Sequence, residues 1–279
     1  MQNVHFTPPQ LASLFKVNVS TIKRWVDRGM LESIKTPGGH RRITQEQLNA
    51  FIKKYPKYDS QSYILQKLST NRKNQNIQWK EYFVYLRNDL PDEALKVIEQ
   101  SFLLGTDLPT ILDELITPTL QEIGREWQNG KLSIYEEHRM SFVMRQHLHS
   151  LDRYIPKQKK IKKKRALLAC APHDHHEIPL LMVGLILKTK GYDTCVLGIN
   201  VPLNEIKKAQ KSCNAEYIAI SKTYSQDTGA TFYTRLDNYC KKTNTRFIVG
   251  GSGWGESVKK KKAYIPSMHA LAKTVSSGA

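Results

Sequence analysis

The 279-residue sequence has four cysteines, Cys170, Cys195, Cys213 and Cys240, and no C-x-x-C pair among them. That spacing argues against a disulfide framework and against a thiolate zinc site, and it leads us to expect buried thiols of a reducing cytosol. Long apolar runs are also missing. None approaches the roughly 18 residues needed to cross a bilayer, and the opening MQNVHFTPPQLASLFK lacks a basic leader followed by an apolar core. The expectation is a cytoplasmic protein with no membrane partner. Acidic residues are scarce, 25 against 43 Lys and Arg, for a net charge of +18. Such an imbalance points to a polyanion, because clustered Lys and Arg gain affinity by releasing counterions condensed on nucleic acid. There is no internal repeat, and no nucleophile–base pair marks a free-standing enzyme. The apolar content of 40% suffices for two or three domains with real cores.

The pattern divides the chain into residues 1–56, a polar linker 57–76, a helical block 77–155, a basic linker 156–165 (PKQKKIKKKR), and a strand–helix block 166–279. In the first block, Thr7 to Tyr55 carries nine Lys and Arg against three acids. TPPQLASLFKVNVSTIKRWVDRGML reads as a helix-turn-helix. A helix over Pro8 to Phe15 turns Leu11 and Leu14 inward, a turn follows at Val17-Asn18-Val19, and Ser20 is placed to cap a helix over Thr21 to Arg28. Ile22 and Trp25 then face the core, while Thr21, Lys23 and Arg24 face outward, where a recognition helix meets DNA. TPGGHRRI reads as a two-stranded wing that presents His40, Arg41 and Arg42 to phosphates, and TQEQLNAFI reads as a third helix. The plainer alternative is a small helical domain with solvated basic residues.

In the helical block, Pro91-Asp92-Glu93 is a helix start and Ser133 a cap, and four helices joined by short connections suggest a bundle. Trp127 precedes Glu137-His138 by ten residues, and a bend at Asn129-Gly130 can bring the indole beside them as the lining of a ligand site. A core tryptophan with an exposed Glu-His pair fits the same spacing.

The last block alternates strand-like RALLACAP, YDTCVLGINVP, YIAISKTY and RFIVGG with helix-like segments, which predicts a parallel sheet with ligands beyond the strands' carboxyl ends. The tail from Ser257, with Lys259 to Lys262, reads as partly low in complexity and frayed at its end. Between the first strand and helix lies APHDHHEIP, with His173, His175, His176, Asp174 and Glu177. A metal site, a catalytic site and a solvated loop are all open readings, although zinc lacks a distant fourth ligand.

The first block resembles the winged helix-turn-helix of MerR-type regulators, above all in STIKRW and TPGGHRRI. The Trp127 and Glu137-His138 pattern resembles the helical cobalamin cap of CarH/LitR-type photoreceptor regulators and of the methionine synthase module. Asp174-x-His176-x-x-Pro179, Ser221-x-Thr223 and Gly250-Gly251 resemble, in order and position, the three motifs of the cobalamin-binding Rossmann-like module. The fold implied is multidomain α and α/β: a winged helix-turn-helix, a four-helix-bundle cap and a Rossmann-like domain with a parallel sheet.

By the same resemblance, His176 would be the lower ligand of cobalt and Asp174 its hydrogen-bonded partner. Ser221, Thr223, Gly250 and Gly251 would border the displaced nucleotide tail, and Trp127, Gln128, Glu137 and His138 the upper face. Two residues depart from the pattern: Gln128 stands where the photoreceptors often have histidine, and Pro179 where the motif has glycine, either crowding the tail or starting the helix as its first residue. The function implied is a DNA-binding transcriptional regulator, a repressor and not an enzyme. It would sense light through adenosylcobalamin and hold double-stranded operator DNA as a homo-oligomer, a dimer or tetramer. Alternatives are a regulator of the same build that senses another cobalamin form, a second tetrapyrrole or a protein antagonist, and, in another class, a corrinoid-carrying methyltransferase subunit.

Overall fold

The computed structural model describes residues 5–15, 17–36, 38–55, 78–103, 106–152, 155, 164–224 and 229–276. The polar linker 57–76 and most of the basic linker lie outside the described residues. The chain divides into two units, residues 1–78 with 95–106, and residues 79–94 with 107–279.

The first unit holds β1 (His5–Phe6), α1 (Pro8–Leu14), α2 (Val19–Asp27), β2 (Ile34–Lys35), β3 (Arg41–Thr44) and α3 (Gln45–Lys54). The strands form a small antiparallel sheet in the order β1-β3-β2, with Phe6 opposite Ile43 and Lys35 opposite Arg41. Strand β1 had no signal in the sequence pattern. The cap of α2 is Asn18, two residues before the expected Ser20. The Asn18 side chain accepts the Ser20 amide at 3.0 Å, so the helix begins at Val19 and Ser20 sits inside its first turn. At α3, Thr44 and Gln47 complete a reciprocal capping box. Leu11, Ile22, Trp25, Ile43, Leu48 and Phe51 are buried, and the Trp25 ring lies 5.0 Å from Phe51 and 5.5 Å from Phe15. The side chain of Leu14 lies outside the description.

The helical block contains α4 (Gln78–Arg87), α5 (Pro91–Leu103), α6 (Leu108–Ile111), a π-helical turn (Leu112–Ile116) that runs into α7 (Thr117–Gln128), and α8 (Ile134–Leu151). Proline opens α5 and acids occupy its first turn, as the sequence suggests. Ser133 caps α8 through a capping box with Glu136. Within the bundle, Tyr82 is fully buried and its hydroxyl hydrogen-bonds the Nδ1 of buried His147 at 3.0 Å.

The last block is a five-stranded sheet, all parallel, in the order β5-β4-β6-β7-β8. Its elements are β4 (Lys164–Cys170), α9 (Glu177–Thr189), β5 (Tyr192–Gly198), α10 (Leu203–Cys213), β6 (Tyr217–Ser221), α11 (Gly229–Thr243), β7 (Arg246–Gly250), α12 (Glu256–Lys259), β8 (Tyr264–Ile265) and α13 (Met268–Ser276). Strands β4 and β6 are apolar almost throughout because helices cover both faces. Lys164 and Arg165, read from sequence as linker, are the first residues of β4.

The tail from Ser257 carries regular structure through Ser276, and the last three residues, where the sequence suggests fraying, lie outside the described residues. It adds β8 to the sheet and then a helix, α13, that reaches the bundle. The Asp113 carboxylate, carried on the π-helical turn, accepts the backbone N–H groups of Met268 and His269 at 2.9 and 3.0 Å and His269 Nδ1 at 2.7 Å. Thr110 meets His269 Nε2 at 3.1 Å. Asp113 thus caps a helix that lies 155 residues later in the chain.

Burial lowers the pKa of His147 to about 4, against the opposing pull of the Pro91 backbone and the Asp92 carboxylate. The unfolded chain takes up this proton near 6.5 and the folded chain only near 4. The contribution is therefore complete above pH 6.5 and is lost as pH falls toward 4, about 3 kcal/mol in all. His147→Gln keeps a partner for Tyr82 and removes the titration. Its stability, followed by thermal unfolding between pH 7 and 4.5, should fall less steeply with acid than that of the wild type; parallel curves would show that His147 is not the group responsible.

Candidate functional site

Strand β4 lies between β5 and β6, so the connections leaving β4 and β6 pass to opposite faces of the sheet and open a crevice at their carboxyl ends. Asp174 lies in the connection after β4 and is 1% exposed. Its Oδ1 accepts the His176 amide at 3.0 Å and His176 Nδ1 at 2.7 Å, and its Oδ2 accepts the amides of Thr223 and Tyr224 from the loop after β6. One carboxylate therefore binds two loops together. A third joins them: Asn200, in the connection after β5, accepts the His173 amide at 2.8 Å and donates its own N–H to the Asp174 carbonyl at 2.9 Å. His173 takes a left-handed backbone conformation there, with φ of 64°.

Burial pushes the Asp174 carboxyl up, but the hydrogen bonds from His176 and from the Thr223 amide outweigh it and hold the group below its ordinary value. The hydrogen bond to Asp174 raises the pKa of His176 against burial, helped by the charges of Asp174 and of Glu137 in the bundle. Because an ionised carboxylate only accepts, Nδ1 carries the proton and Nε2 of the neutral ring keeps its lone pair. The His176 side chain is 53% exposed, which leaves Nε2 open to a ligand. His173 and His175 do not join it. Among the described residues no group of three or more His, Cys, Asp or Glu side chains is placed to hold one metal ion. Pro179 is the third residue of α9, not the first, in the turn where a helix has no use for a backbone N–H.

The loop after β6 packs main chain to main chain against the loop after β7. The Lys222 amide donates to the Gly250 carbonyl and the Gly253 amide to the Lys222 carbonyl, both at 2.9 Å. Gly251 has φ of 107°, and a Cβ there would stand 2.3 Å from the Lys222 oxygen. Gly253 allows the same closeness to Tyr224. Sequence reasoning identified Gly250 and Gly251 but missed Gly253, Lys222 and Asn200; the third glycine of GGSG was the available signal for Gly253. Ser221 and Lys222 are buried, and the buried Thr223 hydroxyl has no partner among the described residues.

On the bundle, a tight turn joins α7 to α8: Gly130 has φ of 69°, and the Lys131 amide returns to the Glu126 carbonyl at 2.8 Å. Glu137 bridges His138 Nδ1 at 2.5 Å and Ser141 Oγ at 2.6 Å. Trp127, at 47% exposure, is no core residue; Gln128, next to it in sequence, and His138, on α8, are also exposed. Arg145 of α8 pairs with Glu177 of α9 at 3.2 Å.

In the other unit, Lys23 and Arg24 stand exposed on α2, and Thr21 is half-buried and meets Arg24 at 3.4 Å. His40 is exposed on the turn of the wing. Arg41 does not extend freely. It pairs with Asp27 at 2.5 Å and reaches the Lys23 carbonyl, fastening the wing to α2, and Arg42 is half-buried.

Residues 6–56 match the family model of a helix-turn-helix domain, and residues 89–151 that of a B12 binding domain. The second match falls on the helical bundle. The HTH-type transcriptional repressor CarH of Myxococcus xanthus is 23% identical over 236 residues, 77% of this chain and 78% of that protein. The HTH-type transcriptional repressor CarA of the same organism is 31% identical over 130 residues, 47% of this chain and 42% of that protein. Among solved structures, the monomethylamine corrinoid protein of Methanosarcina barkeri superposes with a TM-score of 0.57 at 13% identity, covering 72% of this chain and 98% of that one, a likeness of fold. The chain joins a helix-turn-helix domain to a B12 binding domain, the build of a cobalamin-linked DNA-binding regulator.

The loop contact at Gly251 is open to test. Gly251→Ala adds a Cβ inside the Lys222 backbone at a positive φ, which costs about 1–3 kcal/mol from the conformation alone. It should lower the thermal midpoint and weaken cobalamin binding, whereas Gly255→Ala, which meets nothing within 4 Å, should leave both near wild type. Equal behaviour of the two variants in calorimetry would remove the contact from the site.

Proposed function

We propose that the chain is a transcriptional repressor whose hold on double-stranded DNA depends on bound cobalamin. Adenosylcobalamin is the form, light is the signal, and the response is a change in oligomeric state. The observation that carries the cofactor part is the Asp174–His176 pair: a buried carboxylate fixes one imidazole nitrogen and leaves the other exposed at the switch point of a parallel sheet. A carboxylate bound in this way orients a metal-ligating histidine and makes it more electron-rich. The residues fit the group in a second respect, because the unpartnered Thr223 hydroxyl beside the glycine loop supplies a buried polar contact for a nucleotide tail. Bound adenosylcobalamin would supply a cobalt–carbon bond that visible light cleaves.

On this reading, His176 would hold the cofactor's cobalt through its free imidazole nitrogen. Glu137, whose charge reaches His176, would line the bundle side of the site with His138, Trp127 and Gln128. Ser221, Thr223, Gly250 and Gly251 border the tail. Thr21, Lys23, Arg24, His40 and Arg42 face DNA, and Arg41 positions the wing. An assembly of such subunits grips DNA through several weak contacts at once and releases it when the subunits part. The likeness of fold to a corrinoid protein favours a methyltransferase subunit as the second reading, but such a carrier has no use for the helix-turn-helix domain at residues 6–56.

Purified full-length protein loaded with adenosylcobalamin should change its absorption spectrum under green light, become smaller by light scattering, and lose its hold on duplex DNA selected in vitro. An unchanged spectrum, or DNA binding indifferent to cobalamin and light, would sink the proposal. His176→Ala should lose the cobalt–imidazole spectrum, and Asp174→Asn should bind cobalamin about 10- to 100-fold more weakly. Arg24→Ala should weaken DNA binding by about 1–3 kcal/mol and keep the spectrum.

A further inference from the structure

Cys195 lies midway along β5, and Cys213 is the last residue of α10, yet their sulfur atoms stand 2.8 Å apart as free thiols. Both side chains are half-buried, whereas Cys170 and Cys240 are buried in the core. The two cysteines are eighteen positions apart, and the chain between them leaves β5 and returns along α10, so linear spacing gives no hint of the pairing. We propose that Cys195 and Cys213 are a dithiol that a peroxide closes to a disulfide.

The chemistry needs one two-electron oxidant. One thiolate attacks a peroxide oxygen, breaks the O–O bond and becomes a sulfenic acid while the leaving hydroxide takes a proton. The second sulfur then attacks the sulfenic sulfur, forms the S–S bond and expels water. With hydrogen peroxide, two thiols and one H2O2 give one disulfide and two waters. Burial, followed by the Cys213 contact, pushes the Cys195 thiol up to about 11. At neutral pH it is protonated, so closure is slow and accelerates with alkalinity. That favours a response to strong or sustained oxidation.

The bond would tie the end of α10 to the middle of β5, closing a ring that contains the connection Ile199–Pro202. Asn200 of that connection holds the loop carrying Asp174 through two hydrogen bonds. Closure would remove freedom from the unfolded chain and stiffen the frame from which Asn200 acts. The dithiol shares no residue with the proposed cofactor site, so its fate is independent of that reading.

Full-length protein treated with hydrogen peroxide, then alkylated and digested, should yield one cross-linked peptide pair containing Cys195 and Cys213, lighter by two hydrogens. It should show two fewer alkylatable thiols, reversal by dithiothreitol, faster closure at higher pH and a raised thermal midpoint. Cys195→Ser and Cys213→Ser should each abolish the cross-link and the shift. Should either variant fail to fold, peptide mapping of the wild type decides alone. Full alkylation of both cysteines at a dose that oxidises the half-buried Met30 and Met268, sulfinic acid without a cross-link, or a bond to another cysteine would overturn the proposal.

Discussion

The Asp174 carboxylate sets the constraint on which the rest of the crevice depends. It is buried at the carboxyl edge of the sheet, where an unpaired ionised group would be prohibitively costly, so its partners must be supplied in full. They come from two loops that share no sequence neighbourhood, and Asn200 ties a third loop to the first through the His173 amide and the Asp174 carbonyl. Because the two oxygens serve different loops, the imidazole is oriented and the Thr223 loop positioned by one group. The glycine loop then closes on the opposite side of Lys222, where only residues without a Cβ allow the main chains to approach. Charge satisfaction fixes one wall of the crevice and steric permission the other.

Much of this was legible in the sequence because it rests on local chemistry. Alternating apolar segments identify the strands, Pro91 and Ser133 mark helix starts, and HRRI announces the wing. The Asp174-x-His176 spacing fits a side chain that hydrogen-bonds a ring two residues ahead. What the sequence concealed is long-range. Asp113 caps a helix that starts 155 residues later, and a tail rich in lysine, serine and alanine gives no sign of that partner. The Ser20 and Asn18 alternatives differ by two residues with equally capable side chains, and the geometry of the turn chooses between them. Arg41 looked free because its partner Asp27 lies across the turn from α2 to the wing. Such contacts depend on tertiary placement and leave no periodicity to read.

The bundle and the sheet domain are joined by polar contacts at several places. Asp113 with His269, Arg145 with Glu177, and Asp152 with Lys188 connect the two on different helices. Exposed ion pairs of this kind each contribute little, typically 0–1 kcal/mol, so most of them are adjustable. The Asp113 contact differs because it satisfies backbone amides as well as a ring. It fastens one end of the bundle to the sheet domain, while Glu137 brings a carboxylate whose charge is felt at His176.

The π-helical turn that carries Asp113 accommodates one residue more than an α-helix of the same span, with Thr117 closing its hydroxyl onto the Leu112 carbonyl five positions back. Each residue advances a helix by about 100°. Loss of a single residue between Leu112 and Ile116 would restore regular winding and rotate everything downstream by that angle, carrying Trp127 and Gln128 to a different side of the bundle while leaving both helices intact. The surplus residue is therefore a phase setting, through which insertion or deletion of one codon can re-aim the end of α7 without changing any residue there.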